Sequence, residues 1–128
     1  MIEFPSNPNN IIRVQSFVEK VTEAYDLNQD VFGNILISVT EAVNNAMLHG
    51  NQGDEKKKVQ LSSFFKNRHL IFKISDEGPG FDLNTVPDPT SPENLMKLGG
   101  RGVFLMRELA DRIKFLNNGA TVEMMFRI

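Results

Sequence analysis

The sequence predicts an α+β domain of two layers, helices packed against a sheet. Three observations carry this reading. Two early stretches, 7–25 and 31–51, repeat apolar residues at helical spacing. Four later stretches, 59–65, 70–75, 113–116 and 121–128, are short, apolar-rich and bounded by turn residues, as strands are. Hydrophobic residues fill 41% of the 128 positions, enough for the core of one domain spanning 1–128.

Met1 to Phe4 reads as a short edge strand, ended by Pro5. Asn7 then caps a helix that has Pro8 at its first position and runs to about Tyr25. Its apolar residues are Ile11, Ile12, Val14, Phe17, Val18 and Val21. Asp26-Leu27-Asn28 makes a turn, with Asn28 placed to cap the next helix. That helix turns Val31, Ile35, Leu36, Val39, Val43, Ala46 and Met47 toward a core and ends near Gly50, which supplies a left-handed exit. Asn51 to Lys57 is a polar connection, and two strands follow, joined at Lys66-Asn67-Arg68.

In the second of these strands Leu70, Phe72 and Ile74 share a face. Continuing the alternation puts Asp76 on that apolar face, where an unpartnered carboxylate is costly. Either the strand has already ended there or something donates a hydrogen bond to it, and a turn-starting Asp before Gly is a common arrangement. Glu77-Gly78-Pro79-Gly80 makes a side-chain-poor corner that lets a ligand approach the backbone. Phe81 to Gly100, with Pro87, Pro89 and Pro92, reads as a long functional loop, a lid at about 82–99. Gly99-Gly100-Arg101-Gly102 opens a helix with Val103, Leu105, Met106, Leu109 and Ala110 inward. Free N–H groups and a cation at such a point suit an anion, although a glycine corner is also an ordinary turn. Ile113 to Leu116 and Thr121 to Ile128 close the sheet across Asn117-Asn118-Gly119. Val122, Met124, Phe126 and Ile128 point one way.

Composition narrows the classes. With 14 basic and 16 acidic residues there is no long basic stripe for direct nucleic-acid binding. No cysteine is present, and two histidines, His49 and His69, are too few and too far apart for a zinc cluster. The N-terminus has no signal-peptide pattern and no apolar run approaches a membrane span, so a cytoplasmic protein is expected.

The long helix also carries polar residues against its own interest. Ser38, Glu41 and Asn45 stack on one side, and Asn44-Asn45 sits in mid-helix, where each Asn costs roughly 0.5 kcal/mol against Ala. A solvated face is one reading. The other is a site into which Glu41 and Asn45, one turn apart, both point.

In order along the chain, E-A-V-N-N-A (41–46), D-E-G-P-G-F-D (76–82) and G-R-G-V-F-L-M-R-E-L-A-D (100–111) resemble the N box and two glycine boxes of the Bergerat ATP-binding fold shared by DNA gyrase, histidine kinases and MutL. The likeness spans nearly the whole chain. T-E-A-V-N-N-A-M-L-H-G-N (40–51) is similar to bacterial anti-sigma factor serine/threonine kinases, which have this domain in bare form. The resemblance implies a two-layer sandwich, its sheet mixed but mostly antiparallel, with the helices on one face. It implies ATP and Mg²⁺ as cofactors. Asn45 would be the metal ligand, since Mg²⁺ takes oxygen donors and keeps waters. Asp76 would accept from the adenine amino group, with Gly78 and Gly80 beside the base. Gly100, Arg101 and Gly102 would hold phosphates, and Thr121 would lie near the base. Glu41 would be the catalytic base for a substrate hydroxyl. No P-loop or protein-kinase signature competes.

Two functions stand at this point. One is a kinase that phosphorylates a serine or threonine of an anti-anti-sigma antagonist and also binds a sigma factor. Family relatives of this kind are commonly homodimers. The other is a non-catalytic ATP/ADP-binding regulatory module, or a switch kinase acting on another signalling partner.

Overall fold

A computed structural model describes residues 1–78 and 106–128. The expected lid, together with Gly80, Gly100, Arg101 and Gly102, lies outside the described residues. The chain opens with β1 (Ile2–Pro5), a 3₁₀ turn (Pro8–Asn10), α1 (Ile11–Glu23) and α2 (Gln29–Asn45). A π-helical turn, Ala46–Gly50, extends α2. Then come β2 (Lys58–Lys66), β3 (His69–Ser75), β4 (Arg112–Leu116) and β5 (Thr121–Arg127). Residues 106–109 are helical and precede β4.

Local chemistry explains the boundaries. The Asn7 side chain accepts from the Asn9 N–H at 2.9 Å, with Pro8 in the first helical position. Asn28 caps α2, accepting from the Val31 N–H at 2.8 Å. Asn67 and Arg68 both hold positive φ, 52° and 62°, and turn β2 tightly into β3.

The five strands form one sheet in the order β1-β2-β3-β5-β4, and every described pairing is antiparallel. The predicted α+β class and the mostly antiparallel sheet are found. β3 is central, and its register sets Ile74 opposite Leu61 on one side and Val122 on the other. Leu70, Phe72, Ile74, Met124 and Phe126 therefore share one face with Phe4, Val59 and Leu61, all buried. Val14 and Val18 of α1 and Ile35, Val39, Ala42 and Val43 of α2 close that core from the helix side. Met106, the first described residue after the gap, is buried in the same cluster.

One expectation needs correction. Gln29–Gly50, 22 residues that include an 18-residue window of mean hydropathy 1.2, is long and apolar enough to cross a membrane by length and composition alone. The polar residues that interrupt it hide this in a reading by runs. In the fold its apolar face is spent on the sheet, with Ile35, Val39, Val43 and Met47 buried in the core.

Candidate active site

The candidate site forms where α2 ends against the end of β3. Glu41 and Asn45 both lie on α2, half-buried and one turn apart. The Asn45 Nδ2 is buried without a hydrogen-bond partner, and no bond reaches its Oδ1 among the described residues. Ser38, two turns earlier, is fully buried with its Oγ also unpartnered. Buried polar atoms are nearly always paired, so an orphaned amide facing a site is a reason to look for a ligand there.

Beyond Asn45 the helix widens into its π turn, a departure often found at functional sites. The turn delivers Gly50 to the end of β3. Gly50 was expected to be glycine for a left-handed exit, but it is not among the residues with positive φ. Gln52 and Gly53, at 55° and 71°, reverse the chain instead. What requires glycine at position 50 is proximity: a β-carbon there would overlap the Asp76 carboxylate. Gly78 is bound by the same restriction, since its β-carbon would fall on the Gly50 carbonyl oxygen.

Asp76 lies where the strand alternation predicts, half-buried on the helix side. Both readings of it hold in part. Its Oδ1 accepts from the Gly78 N–H at 2.8 Å, a local turn bond, and its own N–H donates to the Ala120 carbonyl at 2.9 Å. Burial raises its pKa above the ordinary aspartate value. The Gly78 N–H and the charge of Lys57 pull the other way without cancelling the rise. No bond among the described residues reaches Oδ2, which packs against Gly50 with its acceptor capacity unused.

Thr121 is placed differently from the expectation. Its partner in register is Ser75, so both side chains leave the sheet on the face opposite Val122 and Ile74. The Thr121 hydroxyl is buried there between Ser75 Oγ at 3.0 Å and Asn117 Nδ2 at 3.1 Å. The structure does not bring it to Asp76. The contact from that end of β5 is the backbone carbonyl of Ala120.

Sequence reasoning also missed Asn51. Its side chain is fully buried and bonds three separate segments, Ser6, Lys58 and Glu77. The Glu77 carboxylate in turn accepts from the Lys58 N–H. No local pattern marks such a residue. The available hint was an Asn immediately after a helix-ending Gly.

Comparison with known proteins gives the family. The profile of the histidine kinase-like ATPase domain matches residues 4–126, and the chain belongs to that family. It is 24% identical to serine-protein kinase RsbW of Listeria monocytogenes over 96% of this chain and 83% of that protein. It is 25% identical to serine-protein kinase RsbW of Oceanobacillus iheyensis over 97% of this chain and 82% of that protein. A crystal structure of the RsbU and RsbW domains of a Mycobacterium tuberculosis protein superposes with a TM-score of 0.64 at 12% identity. That match covers 98% of this chain and 32% of the other, and it supports the fold.

Proposed function

We propose that this chain is an ATP- and Mg²⁺-dependent protein serine/threonine kinase of the anti-sigma type. It would phosphorylate an anti-anti-sigma antagonist in the cytoplasm and hold a sigma factor in exchange. The observation that carries the reading is the pairing of Glu41 with the orphaned Asn45 amide on a helix whose end abuts the Asp76 carboxylate. The similarity to two RsbW kinases supports the same class.

The residues fit the implied cofactors. Among the described residues no three carboxylate or imidazole groups gather. A divalent cation would therefore take the Asn45 amide oxygen and complete its shell from phosphate and water, as Mg²⁺ commonly does. The bound cation would neutralise charge on the phosphates. Asp76 offers an acceptor to the adenine amino group, where the guanine carbonyl would be repelled. Gly50 and Gly78 let the helix turn and the strand exit close on each other, which holds the Asp76 carboxylate at the site. Gly80, Gly100, Arg101 and Gly102 are assigned to the base and phosphates on their motifs alone. Glu41 would accept the proton of the substrate hydroxyl as its oxygen attacks the γ-phosphorus; ADP leaves.

The test is Glu41→Ala, with labelled ATP and a cognate antagonist. Transfer should fall by at least a hundredfold while calorimetric ATP affinity stays within about threefold. Equal transfer by both proteins would remove Glu41 from the chemistry. Binding of ATP without transfer to any antagonist, even by the unaltered protein, would favour a nucleotide-gated regulatory module.

A further inference from the structure

We infer that Asn51 is a positioning residue for adenine selectivity, fixing the corner from which Asp76 meets the base. The inference rests on the nucleotide reading of the site. Asn51 has no exposed surface and uses its whole amide. Nδ2 donates to Ser6 Oγ at 2.8 Å and to the Lys58 carbonyl at 3.0 Å. Oδ1 accepts from the Glu77 N–H at 2.7 Å. The Asn51 N–H donates to the Ala46 carbonyl at 2.8 Å, which ties the side chain to the turn that carries Gly50.

Glu77 stands between Asp76 and Gly78, so the bond from Asn51 grips the corner at its midpoint. Asp76 is otherwise held by the Ala120 carbonyl, on the sheet side, and by its own turn bond to Gly78. Neither reaches the helix layer. Asn51 supplies the hydrogen-bonded connection, beside the packing of Gly50 on Asp76 and Gly78, and so fixes the direction in which the carboxylate stands from Gly50. Asparagine alone among side chains of this length offers two donors and an acceptor: Asp lacks the donors and Ser lacks the reach. Base discrimination by one carboxylate depends on where its oxygen sits, because hydrogen bonds weaken steeply with poor angle and distance.

Calorimetric titration with ATP and with GTP, both with Mg²⁺, decides the matter on the full chain. Asn51→Ala frees the Glu77 N–H; ATP affinity should drop at least tenfold and GTP affinity by less than threefold, so the preference for ATP contracts. Asn51→Asp retains the acceptor for Glu77 and should keep the preference despite a lower melting temperature. Ser6→Ala leaves the Glu77 bond intact and should keep it as well. An Asn51→Ala protein that retains the wild-type ATP/GTP ratio, or loses both nucleotides equally, overturns the inference. Wild-type protein that binds neither nucleotide overturns the functional reading itself. Should Asn51→Ala fail to fold, hydrogen exchange on the wild type and Asn51→Asp gives the answer. The Glu77 amide should exchange at least tenfold more slowly than a free loop amide in both, and free exchange in either overturns the inference.

Discussion

Asp76 shows how a single residue can report on its surroundings. Burial raises its pKa, so the folded chain holds that proton to higher pH than the unfolded chain does. The sign for stability follows. As pH rises from the ordinary carboxylate value through the raised one, the unfolded state gives up its proton first, and stability of the free protein falls across that window. Nucleotide affinity should run the other way. The ionised carboxylate is the stronger acceptor for the adenine amino group, and the protonated one gains an O–H that can donate to the guanine carbonyl, so the ATP/GTP affinity ratio should shrink as pH drops through the raised pKa. Phosphate titration cancels in that ratio. Calorimetry across the acid range checks it, and an Asp76→Asn protein should show a small ratio with no pH dependence. A steep dependence surviving in Asp76→Asn would assign it to another group.

At the scale of elements, the caps and turns are local chemistry and were legible. Asn28→Ala removes the bond to the Val31 N–H and should destabilise the protein by about 1 kcal/mol, read as a lower urea midpoint. The cap, the five strands and both helices follow from periodicity and turn residues, and the structure moves their ends by only a few positions. What escaped depends on contacts distant in sequence. Gly50 reads as a helix-ending glycine whether its need is a left-handed φ or a carboxylate at close range, and only the fold separates the two. Asn51 reads as loop because its partners lie 45 and 26 residues away. The π turn has no period of its own to detect. The placement of Thr121 was within reach: with Val122, Met124 and Phe126 inward, alternation already turns Thr121 outward. As candidates, Asn45 stood out because a helix former would have served better there, Glu41 because it stacks one turn away on the same side, and Asp76 because its face was wrong for a carboxylate.

Among the described residues one core lies under one sheet. Phe72 lies at its centre, fully buried on the middle strand and edge-on to Phe126 with ring centres 6.2 Å apart. Phe72→Ala should cost about 3–5 kcal/mol, a large part of the roughly 5–15 kcal/mol typical of a domain. Urea unfolding should show the midpoint shifted with an unchanged slope; a changed slope would mean that the core does not melt as one unit. The candidate site sits at the rim of this core, where both layers stop. It inherits the rigidity of the sheet through Asp76 and that of α2 through Asn45.

The contact between positions 50 and 78 has no slack: not even a methyl group fits between the helix turn and the strand exit. A joint without clearance works as a hinge pin rather than a cushion. The end of α2 cannot move toward the strand exit without pushing it, and anything gripping that exit would push back on the helix turn.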